Sequence, residues 1–177
     1  MKLLGLLRHA KSDWDDLTLR DFDRGLNARG RRGAALMGAH IVTHGEPWDA
    51  IIASPAARVM ATLDASGLPQ PVTFAEEAYL GDAPTLLGLL RQHGGAAKAV
   101  LLVAHNPGLQ ELVMELVAPD SETAQFGELL EKFPTAAFAV LELDIDTWDQ
   151  CRPGCGRLVH FARPRDLDPA LGPVGAG

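Results

Sequence analysis

Apolar runs and polar stretches alternate along the chain in a pattern that predicts strands alternating with helices. Leu3-Leu4-Gly5-Leu6-Leu7 reads as a first strand and Ala50-Ile51-Ile52-Ala53 as a second. Val100-Leu101-Leu102-Val103-Ala104 reads as a third, apolar throughout, as expected for a central strand covered on both faces. Between the first two, Ala34, Ala35, Met37, Ile41 and Val42 recur at helical spacing behind Asn27, a residue type that caps helices. They predict a helix to about residue 44, stopped by Gly45-Glu46-Pro47. Ser54-Pro55 predicts the cap and first position of a second helix, which ends near Ser66-Gly67. A short strand at 72–74, helices at about 84–93, 109–117 and 121–132, and strands at 136–143 and 157–162 complete the alternation. The polar stretch 11–25 reads as a long loop, a feature that in compact domains is usually functional or disordered. The expected fold is α/β, with three layers (α/β/α) around a mostly parallel central sheet. It occupies a single domain over residues 1–162, and the Pro-, Gly- and Ala-rich stretch 163–177 reads as a poorly ordered tail.

In such a sheet, ligands sit beyond the carboxyl ends of the strands. The first run ends in Arg8-His9-Ala10, the second in Ser54-Pro55-Ala56-Ala57-Arg58 and the third in His105-Asn106. If these ends converge, two histidines and two arginines surround one point, a composition suited to a phosphoryl group. A neutral imidazole with one nitrogen fixed as donor can accept that group in line. Guanidiniums grip its oxygens bidentately, which a lysine does less well. Taken singly each residue is weak evidence. A histidine after a strand is commonly a hydrogen-bonded structural residue. Arg58 in a first helical turn opposes the helix dipole, a local disadvantage that an anionic partner relieves. Lys11 and Ser12 directly follow the candidate nucleophile and are candidates for contact with phosphate or the substrate rim, with a purely structural role for Ser12 as the alternative. With this many fixed cations phosphoryl transfer does not require a metal, so no metal or other cofactor is expected.

Composition narrows the partners. The 177 residues are 47% hydrophobic and 22% charged, as in ordinary globular proteins, and the net charge of −7 disfavours nucleic acid or an anionic membrane as main partner. The first apolar run is too short for a signal peptide, and no stretch approaches the roughly 20 apolar residues of a membrane span, so the expected location is cytoplasmic. Cys151 and Cys155 read as free thiols rather than a disulfide, and a zinc site there would need further ligands, of which only His160 is near in sequence. Trp14 and Trp148 read as packing residues, Asp23 and Arg24 as an ion pair shaping the loop, and Asn106 as a brace for the turn at His105.

The blocks follow one another in a recognisable order. Leu7-Arg8-His9-Ala10-Lys11-Ser12-Asp13-Trp14 comes first, then Asp21-Phe22-Asp23-Arg24-Gly25-Leu26-Asn27-Ala28-Arg29-Gly30. Ser54-Pro55-Ala56-Ala57-Arg58 with Thr62 beyond, Val103-Ala104-His105-Asn106-Pro107-Gly108 and Phe133-Pro134-Thr135-Ala136 complete the series. Together, over about residues 1–150, they resemble the histidine phosphatase superfamily, the phosphoglycerate mutase-like fold, and most closely its SixA-type phosphohistidine phosphatases, with Ala10 where most of the superfamily has Gly. The resemblance implies that His9 is the nucleophile, that Arg8 and Arg58 bind the phosphoryl group, that His105 hydrogen-bonds it, and that water then hydrolyses the phosphoenzyme. Gly25 replaces a usual Pro. In larger relatives the proton donor is a carboxylate between the Arg58-like and His105-like blocks. Glu76, Glu77 and Asp82 lie there; Glu77 is the first choice, with Asp82 and a purely surface role for all three kept open. The implied function is a metal-independent phosphatase acting through phosphohistidine on a phosphohistidine-bearing protein and releasing inorganic phosphate. A small-molecule phosphomonoesterase, a mutase and a non-catalytic phosphate-binding module are the alternatives.

Overall fold

In the computed structural model, which describes residues 1–44 and 47–172, the apolar runs become strands of one sheet. β1 (Lys2–Arg8), β2 (Ala50–Ala53), β3 (Val72–Phe74), β4 (Ala99–Ala104), β5 (Phe138–Leu143) and β6 (Gly156–Ala162) lie in the order β3-β2-β4-β1-β5-β6. β1, β4, β2 and β3 run parallel, whereas β5 is antiparallel to both β1 and β6. The register pairs Arg8 with Ala104 and Ala53 with Val103, so three adjacent central strands end level with one another.

Helices cover both faces. α1 (Ala28–Thr43) and α2 (Ala57–Ser66) pack Met37, Ile41 and Val59 against Leu7, Ile51, Leu101 and Val103. On the other face α3 (Ala83–His93), α4 (Gly108–Leu116) and α5 (Ala124–Glu131) bury Leu86, Leu90, Leu112 and Leu129 against Leu4, Leu6, Val100 and Leu102. Successive β4 residues thus alternate between the two clusters, as the two-residue strand period requires. Each fully buried leucine contributes about 1.5–3 kcal/mol, which makes β4 the strand least tolerant of polar substitution. The caps are legible: Asn27 accepts from the Gly30 amide at 2.7 Å, Asp82 from Thr85 at 3.0 Å, and α2 ends at Gly67 with φ of 68°. Among the described residues no helix is long and apolar enough to cross a membrane.

Several expectations need correction. α2 begins at Ala57 without a side-chain cap; Ser54 is buried, accepting from the Ala56 amide at 3.2 Å and facing His105. The stretch 11–25 is anchored rather than a plain loop, by a bridge between Ser12 and Leu26 and a single 3-10 turn at Asp21–Asp23. Asp23 pairs with Arg20 at 2.7 Å, not with Arg24. Arg24 is buried and donates to the carbonyls of Asp13, Asp16 and Leu19, because enclosed backbone acceptors need donors. Trp14 is 61% exposed, lying under the Arg24 guanidinium instead of in a core, while Trp148 is buried as expected. Residues from Arg163 do not trail off. α6 (Pro164–Leu167) and a 3-10 turn at Pro169–Leu171 pack back near α1, because Pro164 suits a first helical position and Asp166 caps the Arg163 amide at 2.8 Å. The rest of the expected tail, 173–177, and Gly45 and Glu46 of the expected helix stop lie outside the described residues. Cys151 and Cys155 are free and buried, and His160 faces His40 at 2.9 Å instead of the cysteines.

Candidate active site

The strand ends converge. The His9 amide donates to the Ala104 carbonyl and the Ser54 amide to Val103, both at 3.1 Å, which locks the ends of β1, β2 and β4 side by side. His9 is 7% exposed, and its Nδ1–H donates to the Ala10 carbonyl at 2.8 Å. That bond fixes the tautomer and leaves Nε2 as an uncharged lone pair. Burial, with the positive charges of Arg8 and Arg58 behind it, lowers the His9 pKa to about 4. The Ala10 amide is held in turn by the Thr62 hydroxyl at 2.9 Å, and Thr62 donates to the Arg58 carbonyl, so one threonine ties the loop after His9 to α2.

His105 is 2% exposed, with its ring centroid 5.2 Å from that of His9. Arg58 Nη2 donates to its Nδ1 at 3.3 Å, so its Nε2–H donates to Ser54 Oγ at 2.8 Å. Burial, then the neighbouring His9 and Arg58, push its pKa down to about 3. Arg58 is itself buried and also donates to the carbonyl of Asp21 at 2.8 Å and to its carboxylate at 3.0 Å. Tyr79 donates its hydroxyl to that same carboxylate and stands edge-on to His105 at 5.4 Å. The Tyr79 hydroxyl and the Arg58 guanidinium hold the Asp21 carboxyl below its ordinary range, hence ionised. Arg8 Nη1 donates to the Phe133 carbonyl at 3.1 Å while its Nε is buried without a partner. Burial, with Arg58 nearby, lowers the Arg8 pKa. Asn106 donates to that same carbonyl at 2.9 Å and accepts from Gln110, bracing the turn after His105. Gly108 is required there, since a Cβ would lie 2.0 Å from the Gly81 carbonyl oxygen.

Arg8, His9, Arg58 and His105 therefore form one cluster, and the remaining predicted residues lie around it. Lys11 is exposed beside Ala10, and Ser12 joins through its backbone, its carbonyl accepting from Asn27. Glu77 is exposed on a 3-10 turn after β3 and, among the described residues, hydrogen-bonds none of the four. Asp82 caps α3. The carboxylate that does meet the cluster is Asp21, and with Tyr79 it was not singled out by the sequence. Tyr79 is the chain's single tyrosine and follows the acidic interval directly, which is the one signal that pointed to it. The assembled groups can bind a tetrahedral anion through two guanidiniums and present an unprotonated imidazole nitrogen to it.

Comparison with known proteins finds relatives of this chain by sequence and by fold. A model of the histidine phosphatase superfamily (branch 1) matches residues 4–81. An uncharacterised protein of Mycobacterium tuberculosis is 36% identical over 161 residues, which span 90% of this chain and 100% of that protein. Among solved structures, a candidate phosphohistidine phosphatase SixA from Nakamurella multipartitia superposes with a TM-score of 0.82 at 29% identity, over 92% of this chain and 96% of that one. A candidate SixA from Agrobacterium tumefaciens gives 0.75 at 28% identity, over 92% and 99%.

Proposed function

The chain belongs to the histidine phosphatase superfamily, on its SixA side, and from that premise we propose that it is a phosphatase that carries the phosphoryl group on His9 and takes it from phosphohistidine side chains of proteins. One observation carries the reading. The cluster holds a neutral nucleophile between two guanidiniums, and the carboxylate bonded to it, Asp21, is ionised. An alkoxide leaving group needs an acid to protonate it, whereas a phosphohistidine whose ring is already protonated departs as neutral imidazole. The SixA structures, themselves candidate phosphohistidine phosphatases, support the same substrate class.

The steps follow from the geometry. Arg8 and Arg58 grip the phosphoryl oxygens, Arg58 exchanging its bonds to Asp21 for bonds to substrate. His9 Nε2 forms a bond to phosphorus as the phosphorus–nitrogen bond of the substrate breaks, and the electron pair leaves with the substrate imidazole. An entering dianion raises the His105 pKa, so once Arg58 turns from His105 Nδ1 to the substrate that nitrogen takes a proton from solvent and donates it in a hydrogen bond to the charge that develops on the oxygens. Water then attacks phosphorus, releasing inorganic phosphate and restoring neutral His9. Positioning and fixed charge do most of this work.

The test is a competition between a phosphohistidine peptide and an aryl phosphate, with acid-labile phosphate trapped on the protein. Faster turnover of the peptide, with labelling lost in His9→Ala, is expected. Turnover of the aryl phosphate alone overturns the substrate assignment, and labelling that survives in His9→Ala overturns the mechanism.

A further inference from the structure

A second concavity lies behind Arg8. It encloses about 400 Å³ between the loop after His9, the first turn of α1, the segment from Lys132 to Ala136, and α6. Arg8, Lys11, Arg29, Lys132, Arg163 and Arg165 line it, and among the described residues no carboxylate does. His9, Arg58 and His105 are not part of its wall. Six cations around one hollow is an unusual allotment in a chain whose net charge is −7.

Some of these charges are already engaged. Arg163 is paired with Asp166 at 3.0 Å, and Arg29 donates to the Gly172 carbonyl. Lys11, Lys132 and Arg165 make no side-chain hydrogen bond or ion pair among the described residues, and Arg8 Nε is buried without a partner. The first turn of α1 carries no acidic residue, so Arg29 adds its charge to the positive end of the helix dipole. Gly30 makes the close wall possible, because a Cβ there would lie 2.2 Å from the Lys11 carbonyl oxygen. With Asp166 on Arg163 as the one ion pair among the lining cations in the described residues, the remaining like charges repel, and the arrangement is relieved when an anion enters.

We propose that this hollow is a binding site for an oligophosphate, an anion of two or more linked phosphates, separate from the phosphoryl site at His9. The charge distribution favours a chain of phosphates over one tetrahedral anion, since the cations come from four segments around a volume of the size that holds small ligands. Its concave wall suits a compact molecule better than a protein face. Arg8 borders both sites, so an oligophosphate seated here draws on a guanidinium that the phosphoryl site also uses.

Calorimetry with inorganic tripolyphosphate and orthophosphate tests the proposal on the whole chain. Tripolyphosphate is expected to bind one per chain, tighter than orthophosphate and weakening as salt rises. Lys132→Ala with Arg165→Ala should lower that affinity at least about tenfold, since two charge contacts are lost, and should leave phosphatase turnover intact. Arg165→Glu, a single exposed change, should lower it as well and guards against misfolding of the double variant. His9→Ala should keep tripolyphosphate binding. If the double variant and Arg165→Glu bind tripolyphosphate like the parent, or if His9→Ala loses it, the hollow is not the site. Loss of phosphatase turnover in His9→Ala with tripolyphosphate binding intact separates this proposal from the catalytic one.

Discussion

Two places in this protein bring histidine rings close together, the first buried and the second half-buried, and they differ in their company. His9 and His105 have ring centroids 5.2 Å apart; His40, from α1, and His160, from β6, have theirs 5.1 Å apart, with His44 3.9 Å from His160. Burial depresses basicity in both, to about 4 for His9, about 3 for His105 and about 4 for His160, with His40 lowered too. A low pKa therefore does not tell them apart. Around the first pair stand two guanidiniums, an ionised carboxylate and a serine hydroxyl; around the second stand Phe138 and a third histidine. In the second cluster the His40 and His160 Nε2 atoms face each other at 2.9 Å, so each ring spends its nitrogen on the other. In the first, the Ala10 carbonyl takes one nitrogen of His9 and the other remains available. A neutral imidazole is a common result of burial, and fixed cations near it are what suit it to phosphate.

The sharpest break between the two clusters is the loss of one ring from each. His9→Ala removes the proposed phosphoryl acceptor and should lower turnover by on the order of 10⁴-fold or more, as loss of a nucleophile does elsewhere. His160→Ala should leave turnover at the parent's level, because among the described residues no histidine of its cluster hydrogen-bonds Arg8, His9, Arg58 or His105. Steady-state rates of both variants decide it; comparable losses would mean that the second cluster belongs to the site.

A smaller change should turn the first pair into a likeness of the second. Arg58→Ala leaves His9 and His105 buried and neutral but strips the guanidinium that bonds His105 Nδ1 and Asp21. Removal of one preorganised donor to a developing charge typically costs about 10²–10³ in rate. Arg58→Lys restores the charge without the fork and should recover only part of it, since the planar guanidinium reaches His105 and Asp21 at once. Both variants should fold, as judged by melting curves, so that the loss is chemical. Full activity in Arg58→Lys would reduce the role of this side chain to charge alone.

The contrast also explains what the sequence made legible. The strands, α1, α3 and the convergence of Arg8, His9, Arg58 and His105 follow from apolar runs, caps and strand ends, which are local signals. Asp21 and Tyr79 reach Arg58 from positions 37 and 21 residues away in sequence, and a loop acid has no periodicity to announce its target. Ser54 looked like a helix cap because its type and neighbours fit one, and only the packing of β2 beside β4 turns its hydroxyl to His105. The basic hollow was hidden for the same reason. Its cations come from residues 8, 11, 29, 132, 163 and 165, and the last two fall in a stretch whose Pro-, Gly- and Ala-rich composition masks the Pro164 and Asp166 pair that starts α6.

The smallest expected effect concerns pH, and it probes the second cluster alone. In the unfolded chain a histidine titrates near 6.5, whereas folded His160 stays neutral down to about 4 because burial, with His44 and His40 beside it, disfavours the cation. Between those values the unfolded chain binds more protons than the folded one, so stability falls as pH drops through this window and is level above it. His9 and His105, also depressed, add to the same loss. His160→Gln removes one of these contributions and keeps a hydrogen-bonding side chain opposite His40. Urea midpoints at pH 7 and pH 5 should therefore lie closer together in His160→Gln than in the parent, with the remaining gap carried by His40 and the active-site pair. An unchanged gap would mean that His160 is protonated in the folded state, and the likeness between the two clusters would end there, leaving neutrality as a property that the arginine-lined pair has for reasons of its own.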